Sequence, residues 1–227
     1  MTIRAVLFDV GGPLNTEVEH ERLIDEDLRS GLEAASISVS DEDYARAWRA
    51  AIDSFAPNAY RSVIWTLAAG DRKLAISVYQ RMEERSHERT NFELRSGVAE
   101  MLQALSDRGL RLSLAANQPA KVIDRLRECG VADYFGYQGV SGSHGYRKPD
   151  VRLFLHACEQ LDVLPEECVM VGDRIDNDVA PARLLGMRTV CLRTGRHASQ
   201  LPRSWDEIPD AEANDCASVL AAIVALL

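Results

Sequence analysis

The chain has 227 residues, 46% of them hydrophobic and 27% charged, with a formal charge of −9 at pH 7. That length suits one large domain, or a core carrying a smaller insertion, and the composition is that of an ordinary globular protein. The acidic balance argues against nucleic-acid binding, which needs a positive surface, but leaves room for a small phosphorylated ligand held by a local cation.

Cys129, Cys158, Cys168, Cys191 and Cys216 are scattered and form no C-x-x-C pair. This suits buried thiols in a reducing compartment better than a disulfide framework or a zinc site. Met1-Thr2-Ile3-Arg4 meets a charge too early for a signal peptide. The longest clearly apolar stretch, residues 220–227, is far too short to span a bilayer. The expectation is a cytoplasmic protein with neither membrane nor nucleic acid as partner.

Along the chain, residues 3–8 read as a buried strand that ends at Asp9 and the turn Gly11-Gly12-Pro13. From about Val18 to Arg95 the sequence is charged, helical in period and poor in strand signals. Helices are predicted over 21–32, 41–52, 60–69 and 73–85, the second opened by Ser40 as N-cap. Trp48, Phe55 and Trp65 read as the core of this block. A regular alternation follows: helix 97–108, strand 110–116, helix 119–129, strand 134–140, helix 151–161, strand 168–172, helix 177–185, strand 188–192 and helix 217–226. Such alternation implies a parallel sheet covered on both faces. The predicted fold is therefore α/β: a doubly wound core of residues 1–14 and 96–227, with an α-helical insertion of residues 15–95.

Open parallel sheets bind ligands at the carboxyl ends of their strands, near the switch in strand order. The residues following the predicted strands are Asp9, Asn117-Gln118, Arg147-Lys148-Pro149-Asp150 and Asp173, the last followed by Asp176 and Asp178. Carboxylates gathered at one rim repel each other. A hard divalent cation with oxygen ligands relieves this, and magnesium suits few carboxylates completed by waters and a phosphate. A carboxylate nucleophile, a metal and an ammonium together meet the needs of phosphoryl transfer.

Phe8-Asp9-Val10-Gly11-Gly12-Pro13-Leu14, Ala116-Asn117, Arg147-Lys148-Pro149-Asp150 and the segment from Val171 to Asp178 resemble the four ordered motifs of the haloacid dehalogenase-like superfamily. The helical block sits where that superfamily carries its small helical (C1-type) cap, which chooses the substrate. The resemblance implies that Asp9 attacks phosphorus and becomes an aspartyl phosphate, steadied by Lys148. It implies magnesium on Asp9, Asp173, Asp178 and the backbone carbonyl of Gly11. It places Gly12, Ala116 and Asn117 around the phosphate of a small phosphorylated substrate, in a protein that is a monomer or homodimer.

Three positions depart from the family pattern. Gly11 stands where its phosphatases usually have an aspartate acting as general acid and base, a contribution worth roughly 10²–10⁴ in rate. Pro13 replaces the usual threonine, and Ala116 replaces the serine or threonine whose hydroxyl grips phosphate. Three resolutions are open. A residue of the helical block (Glu17, Glu19 or His20) supplies the proton, the substrate has a leaving group that needs none, or the protein is a weakly active or non-catalytic binding relative. A 2-haloacid dehalogenase is a further alternative, although the acidic Gly172-Asp173…Asp178 segment gives it little use. The plain readings stand beside these. Asp176 and Asn177 read as helix caps, Asp178 as a helix-dipole partner or a site residue, Asn117 as a turn former or a backbone-orienting residue, and His144 as a loop histidine between glycines.

Overall fold

The computed structural model describes residues 2–87 and 92–227. Two compact units emerge, Met1–Thr16 with Phe92–Leu227, and Glu17–Asn91.

The strands are β1 (Ala5–Phe8), β2 (Asn15–Thr16), β3 (Glu93–Leu94), β4 (Arg111–Ala116), β5 (Phe135–Val140), β6 (Cys168–Gly172), β7 (Arg188–Leu192) and β8 (Ala211–Ala213). Among the described residues, six of them form one sheet in the order β5-β4-β1-β6-β7-β8, with every pairing parallel. Strand β1 lies at the centre, with Phe8 level with Leu114 of β4 and with Val171 of β6. The four residues of β1 are all buried, as expected of a parallel strand covered on both faces. They alternate with the two-residue period of a strand. Val6 and Phe8 enter the core that includes Met101, Leu126, Val219 and Ile223, while Ala5 and Leu7 enter the opposite core with Phe154, Ala157 and Leu161.

The first of those cores is covered by α5 (Val98–Ser106), α6 (Val122–Glu128) and α10 (Cys216–Leu226), and the second by α8 (Arg152–Leu161) and α9 (Ala180–Leu184). The doubly wound expectation is met. The sequence misses β8, and the helix predicted over 177–185 is instead a π-helical turn at Ile175–Val179 followed by the short α9. A four-residue helix, α7 (Ser141–His144), occupies the predicted loop. There His144 meets the Tyr137 hydroxyl at 2.6 Å rather than standing free. Strands β2 and β3 pair with each other as a two-residue antiparallel ladder.

The helical unit contains α1 (Val18–Ala34), α2 (Asp41–Asp53), α3 (Ala59–Leu67) and α4 (Arg72–His87). Ile24, Leu28 and Leu32 recur at four-residue intervals along α1 and pack with Trp48, Ile52, Val63, Ile64, Val78 and Met82. Ser40 caps α2 as predicted, its hydroxyl accepting from the Asp43 N–H at 3.1 Å. Trp48 and Phe55 are buried, but Trp65 departs from the core reading, with 49% of its surface exposed. No helix among the described residues is long and apolar enough to cross a membrane.

Candidate active site

The central strand delivers Asp9 to the rim. Its backbone N–H donates to Val171 O at 2.8 Å, carrying the β1–β6 pairing one residue beyond the strand. Strand β6 ends in Gly172, and Asp173 follows at once. The π-helical turn after it carries Asp178, which is fully buried. The three side chains converge: one carboxylate oxygen from each of Asp9, Asp173 and Asp178 lies within 4.8 Å of the others.

Two glycines make that approach possible. A Cβ at Gly172 would collide with the Asp178 carboxyl group, and a Cβ at Gly12 would lie 3.0 Å from both Cβ and Cγ of Asp173. Gly12 also has φ +81, a backbone region that side chains disfavour. The glycines beside the acids are thus the space those acids occupy.

Lys148 is buried among them. Its Nζ lies 2.6 Å from Asp178 Oδ1 and 3.0 Å from Asp9 Oδ1, with only 1% of the side chain exposed. Asp178 Oδ2 accepts the Arg174 N–H at 3.0 Å, and Asp9 Oδ1 also accepts the N–H of Val10 at 2.8 Å. Asp178 is therefore no simple helix-dipole partner. The cap reading of Asp176 gives way as well, since its carboxylate accepts from the Arg174 guanidinium and from Gln200 Nε2.

Asn117 follows Ala116, the fully buried last residue of β4. Its carboxamide is spent on Lys148: Nδ2 donates to the Lys148 carbonyl and Oδ1 accepts the Lys148 N–H. Of the two open readings, backbone orientation matches these bonds. Arg95, which no motif singles out, donates from Nε to the Gly12 carbonyl at 2.6 Å and from a terminal nitrogen to Thr194 Oγ1 at 3.0 Å. A carbonyl-directed arginine leaves no spacing pattern, so inspection of sequence passes over it.

The electrostatics follow from burial. Desolvation works against the Lys148 ammonium, but Asp178 and Asp9 outweigh it and hold the group charged, above its ordinary range. Burial pushes the Asp178 carboxyl up; Lys148 pulls it back, and the charge of Asp9 adds to the rise. The Lys148 ammonium thus serves two carboxylates at once, those of Asp178 and Asp9. An all-oxygen donor set of three converging carboxylates fits a hard divalent cation such as magnesium.

The chain has known relatives. A family model described as haloacid dehalogenase-like hydrolase matches residues 3–186. A glyceraldehyde 3-phosphate phosphatase of Methanopyrus kandleri is 35% identical over 112 residues, covering 49% of this chain and 48% of that protein. A phosphoserine phosphatase of Thermus thermophilus is 35% identical over 136 residues, 60% of this chain and 53% of that one. The chain thus spans about half the length of these relatives. Among solved structures, a HAD phosphatase from Thermococcus onnurineus matches with TM-score 0.62 and 24% identity, over 97% of this chain and 98% of that chain. Motif order, strand-end geometry and the family match agree: the chain belongs to the haloacid dehalogenase-like hydrolases.

Proposed function

We propose that this protein is a magnesium-dependent phosphohydrolase, acting on a small phosphorylated metabolite through an aspartyl phosphate on Asp9. The observation that carries the reading is the meeting of Asp9, Asp173 and Asp178 within 4.8 Å, with Lys148 Nζ 3.0 Å from the first and 2.6 Å from the last. The phosphatase names of the relatives support it.

Asp9 Oδ1 is engaged by Lys148 and Val10, which leaves Oδ2 as the attacking oxygen. The Oδ2–phosphorus bond forms as the ester oxygen–phosphorus bond breaks, and the leaving oxygen takes its proton from water. Water then attacks the same phosphorus, releasing phosphate and regenerating the carboxylate. Lys148 stays protonated and offsets negative charge on Asp9 and on the transferring oxygens. Asp9, Asp173, Asp178 and the Gly11 carbonyl are the groups that would hold magnesium, which would supply charge neutralisation and orientation of the phosphoryl group. Gly12 and the backbone beside Ala116 would grip the phosphate, with Asn117 holding Lys148 in register. We place this chemistry in residues 1–14 and 96–227, and substrate selection in the helical cap of residues 15–95. Five unpaired cysteines suit the reducing cytoplasm.

The names of the relatives carry different substrates, so the reading extends to phosphate monoesters as a class. The decisive measurement is hydrolysis of p-nitrophenyl phosphate with and without magnesium. Turnover that disappears with chelator and in Asp9→Asn supports the reading; metal-independent turnover, or activity retained by Asp9→Asn, overturns it. A binding-only relative is the second reading, favoured because Gly11, Pro13 and Ala116 offer no side-chain donor. It requires magnesium binding without turnover, and a large gain of rate in Gly11→Asp would instead identify a competent site short of one acid.

A further inference from the structure

The loop that follows the nucleophile is closed by backbone bonds alone, Val10 O accepting from the Leu14 and Asn15 N–H groups at 3.1 Å each. Gly11-Gly12-Pro13 contains no side-chain hydrogen-bond donor or acceptor, and two successive glycines carry the largest conformational entropy a chain can have. Yet Gly12 stands at φ +81 with its backbone against the Asp173 side chain. Those backbone bonds do not reach the Gly12 carbonyl, so a donor from outside the loop must fix it.

Arg95 is in position to do so. It lies between β3 and α5, and three of its donors are used. The backbone N–H reaches Leu14 O at 2.8 Å, Nε reaches Gly12 O at 2.6 Å, and a terminal nitrogen reaches Thr194 Oγ1 at 3.0 Å. The side chain is half-buried, and among the described residues no carboxylate pairs with it. A guanidinium without an acid partner, spent on a backbone carbonyl, makes a charge-assisted bond stronger than an amide donor would. Thr194 follows β7, so the same side chain joins the loops after β1 and β7 across the Asp173 segment that follows β6.

We infer that Arg95 is the positioning residue of the Gly11-Gly12-Pro13 loop: its bonds to Gly12 O and Thr194 Oγ1 hold that loop in the conformation that receives a phosphoryl group. The inference rests on the phosphohydrolase reading for its kinetic consequence, but not for its consequence on anion binding. Arginine suits the task better than lysine because one planar group meets two acceptors in fixed directions.

The test compares the wild type, Arg95→Ala, Arg95→Lys and Thr194→Val in two assays. One is calorimetric binding of inorganic phosphate with magnesium present, the other steady-state hydrolysis of p-nitrophenyl phosphate. Loss of a hydrogen bond to a charged group predicts phosphate binding and kcat/KM in Arg95→Ala each weakened about 10- to 100-fold. Arg95→Lys should recover part of this, and added guanidinium ion should improve Arg95→Ala without improving the wild type. A purely structural role would show neither the partial rescue nor the response to guanidinium. Should Arg95→Ala not fold, Thr194→Val carries the test, with a smaller loss in the same direction expected.

Phosphate binding and turnover in Arg95→Ala equal to wild type would overturn the inference, as would an unaltered Thr194→Val where the alanine variant is lost. A wild type inactive on the ester whose phosphate binding still depends on Arg95 would remove the hydrolase reading and leave the positioning role. Vigorous wild-type turnover indifferent to Arg95 would do the reverse. No phosphate binding by the wild type would remove both.

Discussion

The carboxamide of Asn117 holds the Lys148 peptide from both sides, Nδ2 donating to its carbonyl at 3.0 Å and Oδ1 accepting from its N–H at 2.8 Å. The amine that reaches Asp9 and Asp178 is thus aimed from the neighbouring strand end, through the backbone of its own residue. Each such bond is worth about 1 kcal/mol net, so Asn117→Ala should lower kcat/KM for an aryl phosphate roughly 10- to 100-fold. Most of the loss should fall in kcat. Asn117→Asp keeps the acceptor and loses the donor, and should fall between the two. Equal kinetics in all three proteins would show that Lys148 needs no such support.

Gly172 makes a different kind of demand. No side chain fits there, because the Asp178 carboxyl group occupies the space a Cβ would need. Gly172→Ala must displace either β6 or Asp178. Overpacking in a dense interior costs about 1–3 kcal/mol, and displacement of Asp178 would also break its contact with Lys148. The expected outcome is lower stability in urea together with a weakened response to magnesium. A variant with wild-type stability and wild-type magnesium affinity would mean that the π-helical turn gives way freely.

Much of this was legible in the residues themselves, for a physical reason. A parallel strand buried on both faces must be an unbroken apolar run, and Ala5–Phe8 and Cys168–Gly172 are such runs, closed by polar residues that have nowhere to sit but the rim. The convergence of Asp9, Asp173 and Asp178 follows from the pairing of β1 with β6, whereas sequence alternation implies a parallel sheet without its strand order. Ala211–Ala213 was not legible, because three residues with an exposed Glu212 carry no strand period. Nor were the partners of Asn117 and Arg95, since both side chains address backbone groups, and a carbonyl is present at every position. The acid that reads as a cap at Asp176 is instead claimed by Arg174, an ion pair between residues two apart that the turn geometry alone permits.

The charge balance of the cluster predicts a metal effect on stability. Asp178 has a folded pKa above its ordinary 3.8, burial being the chief cause. A group raised in this way favours the folded state below its unfolded pKa, and that advantage is lost as pH rises through the folded value. A divalent cation offsets the loss, so magnesium should raise Tm more at pH 8 than at pH 5. At about 100 times its dissociation constant it contributes about 2.7 kcal/mol, or roughly 5–10 °C for a chain of this size. Differential scanning fluorimetry with and without magnesium checks this, and Asp173→Asn should abolish the shift. A shift that Asp173→Asn retains would place the ion elsewhere.

His197 gives an acid-side prediction independent of any metal. Its ring is partly buried, and Nδ1 has no hydrogen-bond partner among the described residues. Burial lowers its pKa from 6.5 to about 4, and the nearby positive charge of Arg174 acts in the same direction. Below pH 6.5 the unfolded chain therefore binds a proton that the folded chain refuses. The penalty begins as pH falls through 6.5, grows towards pH 4 and is complete below that. The full shift corresponds to about 3 kcal/mol, an upper value because the ring keeps some contact with water. His197→Gln removes the titration, so its urea-unfolding free energy should decline less between pH 7 and pH 4.5 than that of the wild type, by about 1–2 kcal/mol. The comparison is of slopes against pH rather than of absolute stabilities, so loss of packing around the ring does not mimic it. Parallel declines in the two proteins would mean that His197 takes up its proton as readily in the folded chain as in the unfolded one.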